Sequence, residues 1–89
     1  MIRRDLRIVN EKGLHARASA RFVEVVEEFN AAATVSKDGM DVSGDSIMGL
    51  LMLAASRGTS IGVVTTGPEA EALADALETL VANRFGEEH

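Results

Sequence analysis

The chain has 89 residues, a formal net charge of −5 and 46% hydrophobic residues, which suits one small domain with a single core. It contains no cysteine, which excludes disulfides, thiolate metal sites and a cysteine nucleophile. The acidic excess and the 3% aromatic content argue against nucleic acid and anionic membranes as partners. Without an apolar run that could span a membrane or a signal-peptide pattern, residues 1–89 are expected to form one cytoplasmic domain with no membrane insertion.

The first half of the chain predicts a strand, a helix and a hairpin. Apolar residues of one parity between positions 2 and 8 are typical of a half-buried strand. From Ala16 to about Phe29, apolar residues recur at helical spacing with charged residues on the opposite face. Asp38-Gly39 is a strong turn signal and predicts a hairpin of strands Ala32–Lys37 and Met40–Ser43.

The second half predicts a short helix, a strand and a longer helix. Ser46 precedes the apolar run Ile47–Ala54, where its hydroxyl can cap a short helix. Ile61–Thr65 alternates as a strand does, and Pro68 suits the start of a helix that carries apolar residues at helical spacing up to Val81. The order β-α-β-β-α-β-α indicates an α+β fold in which helices cover one face of an open sheet.

His15 lies in the string GLHAR, where the first helix is predicted to begin. The first N–H groups of a helix have no intrahelical partners, so a phosphoryl group on His15 would meet free donors, and Arg17 adds a planar fork of donors for phosphoryl oxygens. The positive helix end also favours the neutral, nucleophilic imidazole, and Gly13 permits a sharp turn that leaves the ring accessible. Most histidines are not reactive, so this string alone also fits a polar surface residue at a helix end.

A second motif adds to the first. GLHAR followed by an amphipathic helix, and then GDSIMGLLMLAA, resembles the HPr family, the histidine-containing phosphocarriers of the phosphoenolpyruvate-dependent phosphotransferase system. The resemblance covers essentially the whole chain and implies an open-faced β-sandwich: a four-stranded antiparallel sheet with three helices on one face. It further implies that His15 accepts a phosphoryl group on Nδ1 from enzyme I and passes it to an enzyme IIA protein. Arg17 would stabilise that group, with the backbone amides of Ala16 and Arg17 binding it.

The chain departs from the sugar-transport members of the family in two places. Ala18 stands where the family commonly has proline after HAR, which resembles the nitrogen-related branch of the system more closely. Glu24, Glu27 and Glu28 stand on a helix face where many sugar-system carriers have lysines, so we expect a different choice of partner.

Ser46 has two interpretations, which are compatible. It can be the N-cap of the second helix, and by the family resemblance it can be the target of a regulatory serine kinase and phosphorylase. A phosphate there would add charge of about −1.5 to −2 to the surface by which partners approach His15.

The run Ile47–Leu53 is too hydrophobic for one buried stripe, so either this helix is wedged deep in the core or part of it is a docking patch. We favour docking through Met48 and Leu51, together with Leu14 and Arg21, because the resemblance places the partner surface on the first two helices. No cofactor or metal is expected, and a monomer is the simplest assembly.

Two alternatives to a relay remain open. The chain could be a regulatory docking module of the same fold that no longer relays phosphate, although the presence of His15 and Arg17 favours the carrier. It could also be an unrelated metabolite-binding domain, which would share the element order but leave both motifs unexplained. His89 is expected to be solvated and too loose to act as a ligand.

Overall fold

The computed structural model describes all 89 residues, Met1–His89. The elements in chain order are β1 (Ile2–Arg7), α1 (Ala16–Glu27), β2 (Ala32–Lys37), β3 (Met40–Ser43), α2 (Ile47–Met52), β4 (Ser60–Thr66), α3 (Ala70–Ala82) and a short 3-10 turn (Arg84–Gly86). No helix combines the length and the apolar character that crossing a membrane requires.

The four strands form one antiparallel sheet in the order β1-β4-β2-β3. The hairpin β2-β3 turns through Asp38 and Gly39, which both have positive φ, as the sequence predicts. Sheet and helices together form an α+β open-faced sandwich, so the predicted fold class is confirmed.

One face of the sheet supplies the core. Leu6 of β1, Val35 of β2 and Val63 of β4 point to the same side and are buried. Against them pack Phe22 of α1 and Leu77 of α3, both fully buried. The alternation of each strand and the helical spacing of α1 and α3 therefore meet in a single core, as their patterns predict.

The ends of the helices differ from the sequence prediction by a few residues. Helix α2 ends at Met52 rather than Ala54, because Ala54 has a φ of 51° and cannot continue a right-handed helix. The 3-10 turn after α3 is not predicted by any periodic pattern. It buries Phe85, which is 3% exposed, against the core and so fixes where the last three residues lie.

A candidate phosphoryl-transfer site at the start of helix α1

His15 is the N-cap residue of α1, with extended backbone (φ −78°, ψ −177°). The turn before it depends on Gly13, whose φ of +67° is unfavourable for other residues and where a Cβ would lie 2.5 Å from the carbonyl oxygen of Ala55. The next amide, that of Leu14, donates to that same carbonyl at 2.9 Å. This close approach fixes the direction in which the chain enters α1, and it bears out the predicted role of Gly13.

The first turn of α1 presents free donors next to His15. The amides of Ala16, Arg17 and Ala18 donate to no backbone acceptor, and the side chain of His15 does not cap them. The Arg17 side chain is exposed and forms no ion pair or hydrogen bond. These groups are the predicted phosphoryl cradle, and the structure brings them together at one helix end where an anion is favoured.

The structure adds a contact that the sequence analysis did not predict. Nε2 of His15 is hydrogen-bonded to Oε2 of Glu87, which lies 72 residues further along the chain. The other oxygen of Glu87 accepts a hydrogen bond from Nδ2 of Asn10 at 2.9 Å. Asn10 is fully buried, and the same amide nitrogen also donates to the Gly13 carbonyl at 2.8 Å. One buried amide therefore links the turn before α1 to the carboxylate that contacts His15.

The protonation of Glu87 determines which nitrogen of His15 carries hydrogen. Burial raises the pKa of the Glu87 carboxyl, but the hydrogen bonds from Asn10 and His15, with the charges of His15 and Lys12, outweigh burial and leave this pKa below its ordinary value. An ionised carboxylate only accepts hydrogen bonds, so Nε2 of His15 is the donor. In a neutral ring, Nδ1 then holds the lone pair, and Nδ1 makes no hydrogen bond within the protein.

The segment Glu87–His89 forms one wall of a depression beside His15. The Glu11 amide donates to the His89 carbonyl at 2.9 Å, and Phe85 anchors the preceding turn in the core. The expectation that His89 is loose is therefore wrong for its backbone, although its side chain is exposed. The depression has a volume of about 580 Å³, and Lys12 and Arg17 supply its positive charge.

Ser46 is the N-cap of α2, as predicted. Its Oγ accepts a hydrogen bond from the Gly49 amide at 3.0 Å, and its backbone is extended. The residue is half-buried and its hydroxyl donates no hydrogen bond. The capping role predicted for Ser46 is confirmed, whereas its phosphorylation stays a prediction.

The predicted docking residues separate into exposed and buried ones. Met48 is 72% exposed and Leu51 is 36% exposed, and both lie on α2. Arg21 is exposed on α1 and its guanidinium lies close to Gly86. Leu14 is only 4% exposed because it packs in the core, so its assignment to the docking surface is wrong.

Most apolar residues of helix α2 are exposed rather than buried. Only Leu50 of the helix is buried, whereas Ile47, Met48 and Met52 are exposed by at least 40%. The helix is therefore not wedged deep in the core. An exposed apolar patch formed by Ile47, Met48, Leu51 and Met52 remains on the surface, and we call it the α2 patch.

Comparison with known proteins agrees with the fold. Residues 2–83 match the family described as "PTS HPr component phosphorylation site". The chain belongs to the HPr family. It is 45% identical over 87 residues to phosphocarrier protein HPr of Cupriavidus necator, covering 98% of each chain, and 46% identical over 88 residues to that of Neisseria meningitidis serogroup A, again covering 98% of each.

A solved structure supports the same assignment. The crystal structure of HPr-C-His from Thermoanaerobacter tengcongensis has a TM-score of 0.94 and 36% identity, and the match covers 100% of both chains. The family consists of phosphocarriers of the phosphotransferase system, relay proteins rather than enzymes that turn over a small substrate. The two sequence motifs, GLHAR and GDSIMGLLMLAA, therefore identified the family correctly.

Sequence reasoning missed the residues that complete the site. Glu87 and Asn10 carry no motif signal, because a carboxylate near the end of the chain and an asparagine in a turn are common in any protein. The sequence feature that could have indicated this contact is Phe85, an aromatic residue after the polar Asn83-Arg84. Because Phe85 is buried, the residues that follow it are held against the protein. No group of three or more His, Cys, Asp or Glu side chains is arranged to hold a metal ion.

Proposed function

We propose that this chain accepts a phosphoryl group from phospho-enzyme I on Nδ1 of His15 and passes it to an enzyme IIA protein in the cytoplasm. The observation that carries the proposal is the start of α1. There, an imidazole with Nε2 already paired and Nδ1 free lies beside unpaired backbone amides and the unpaired guanidinium of Arg17. An acceptor nitrogen and an anion cradle are what a transient phosphohistidine requires.

The transfer step follows from these positions. The lone pair on Nδ1 of His15 forms a bond to phosphorus while the bond from phosphorus to the donor breaks, and the electron pair of the broken bond stays on the donor. The amides of Ala16 and Arg17, with the Arg17 guanidinium, stabilise the charge on the phosphoryl oxygens. The reverse sequence of bond changes delivers the group to the IIA acceptor, so the chain is regenerated without net change.

The partners would dock on the surface next to the cradle. The α2 patch supplies apolar contacts through Met48 and Leu51, and methionine adapts to more than one partner. Arg21 adds a positive charge on α1, whereas Glu24 and Glu28 are also exposed there and make this face more acidic. The acidic face and Ala18 support a partner set of the nitrogen-related branch, and we propose that the chain acts as a monomer.

Ser46 would regulate this relay. A serine kinase that phosphorylates Oγ would add negative charge on the side of the protein that carries the α2 patch, where phospho-enzyme I also brings negative charge. Because Ser46 lies at the start of α2 while His15 lies at the start of α1, and these helices pack together, the modification would act on docking rather than on the fold.

The direct test is incubation with phosphoenolpyruvate and enzyme I, followed by mass measurement of the intact protein. We expect one acid-labile phosphoryl adduct. His15→Ala should take up none, whereas His89→Ala, which removes the only other histidine, should keep the adduct.

The absence of any adduct with enzyme I from several bacteria would contradict the relay and favour a docking module of the same fold. An adduct that survives in His15→Ala and disappears in His89→Ala would show that His89 is the acceptor and would contradict the role proposed for His15.

A further inference from the structure

The carboxylate of Glu87 is the only side chain bonded to the ring of His15, although it takes no part in the bond changes of the transfer step. It is held from two directions. Asn10 donates to its Oε1 at 2.9 Å, and the backbone around it is fixed by buried Phe85 and by the bond from Glu11 to His89. A carboxylate restrained in this way is not an incidental surface contact.

We propose that Glu87, oriented by Asn10, is a positioning residue for His15: it holds the hydrogen on Nε2 and so keeps the lone pair on Nδ1, beside the cradle. This inference rests on the proposed function and adds a residue to it. The physical basis is that the hydrogen bond made by one imidazole nitrogen determines the protonation of the other. A histidine whose second nitrogen is bonded to a carboxylate is also fixed in ring orientation.

Glu87 also fits the charge change of the reaction. When Nδ1 forms its bond to phosphorus and Nε2 keeps its hydrogen, the imidazole ring acquires a formal positive charge. The carboxylate contacts the ring at Nε2, on the other side from the incoming phosphoryl group, and can balance that charge without approaching the phosphoryl oxygens as closely as it approaches the ring. No proton has to leave the ring during transfer.

Asn10 makes the orientation of Glu87 specific. It is fully buried, and its single amide nitrogen donates both to the Gly13 carbonyl and to Glu87, while its Oδ1 has no partner. A glutamine at position 87 could not keep both contacts in this geometry, because Asn10 donates to Oε1 and His15 to Oε2, and glutamine has an oxygen at only one of these two positions. Its NH₂ group would face one of them and lose that hydrogen bond.

The test uses Glu87→Gln and Glu87→Ala, with Glu71→Gln as the control. Glu71 is an exposed residue of α3 that makes no hydrogen bond and does not line the depression beside His15, so this control removes the same charge away from the site. The first readout is the Nε2–H proton of His15 by NMR of the unphosphorylated protein. We expect a strongly deshielded, slowly exchanging proton in the wild type and in Glu71→Gln, and its loss in both Glu87 variants.

The second readout is the rate of phosphoryl uptake from enzyme I. Both Glu87 variants should be slower by about tenfold, and Glu71→Gln should stay within about twofold of the wild type. Uptake that is unchanged or faster in the Glu87 variants overturns the inference, and so does slower uptake with the Nε2–H proton retained. A wild type that takes up no phosphoryl group contradicts the proposed function instead, so the two failures are distinguishable.

Discussion

The two helix starts of this molecule, His15 at α1 and Ser46 at α2, have the same position in the helix but opposite hydrogen bonding. Ser46 uses its hydroxyl to cap its own helix through Gly49. His15 makes no capping bond, and its ring instead contacts Glu87, a residue of a distant segment. The amides of the first turn of α1 therefore remain unpaired.

The difference teaches that a helix end can be completed either for stability or for chemistry. A capped end has lower free energy and less to offer an incoming anion, whereas an uncapped end keeps its donors available. At the start of α1, the His15 side chain is held by Glu87, which lies outside the helix. This division predicts that substitutions at the start of α1 change phosphoryl transfer, and that substitutions at the start of α2 change stability or docking.

The largest effect is expected from Arg17→Ala. The exposed guanidinium has no partner in the free protein, so it is available for phosphoryl oxygens, and its loss should slow uptake from enzyme I by about 100-fold, or about 2.7 kcal/mol. The rate is measured by mass under single-turnover conditions. Arg3→Ala, which removes an equal charge from an exposed position of β1, is the control and should not slow uptake. Equal rates for the two variants would mean that α1 has no special anion cradle.

A smaller effect is expected from Ser46→Asp. Aspartate caps a helix as well as serine does, so the fold should keep its stability, but the added charge should slow uptake by about tenfold through repulsion of the phosphorylated partner. The rate should recover partly at high salt, since screening weakens such repulsion. An unchanged rate at low salt would rule out regulation by charge at this position.

Ser46→Ala separates capping from charge at the same residue. It removes the hydrogen bond to the Gly49 amide without adding charge, so it should lower the free energy of unfolding by about 1 kcal/mol and leave uptake unchanged. Chemical denaturation of the wild type and of this variant measures the difference. A variant as stable as the wild type would show that the cap of this short helix contributes nothing, and the contrast between the two helix starts would then be weaker.

Local patterns predicted most of the fold. The alternation of β1 and β4, the Asp38-Gly39 turn and the helical spacing of α1 each depend on neighbours in sequence, and each is found where it was predicted. The predicted helix ends were less accurate. Helix α2 ends before Ala54 because this residue has a left-handed backbone, and alanine gives no sequence indication of such a conformation.

The candidate site divides in the same way. His15, Ala16 and Arg17 are adjacent in sequence, so a motif could reveal them together. Glu87 and Asn10 meet only because the turn around Phe85 returns the chain to the start of α1, and such a long-range contact leaves no periodic signal. Leu14 was misassigned for the same reason: its burial is decided by packing, not by its place next to His15.

The smallest expected effect concerns acid and the link between Glu87 and α1. In the folded protein, the pKa of the Glu87 carboxyl lies below its ordinary value of 4.5. The contacts of the ionised carboxylate therefore stabilise the fold above about pH 4.5, and this stability is lost as the pH falls through the lowered pKa of the folded state. Unfolding free energies measured on the acid side of pH 4.5 should therefore decrease less steeply for Glu87→Gln than for the wild type, while Glu88→Gln should follow the wild type. Parallel wild-type and Glu87→Gln curves would mean that this carboxylate is not held in the folded state, and His15 would then lack its partner in solution.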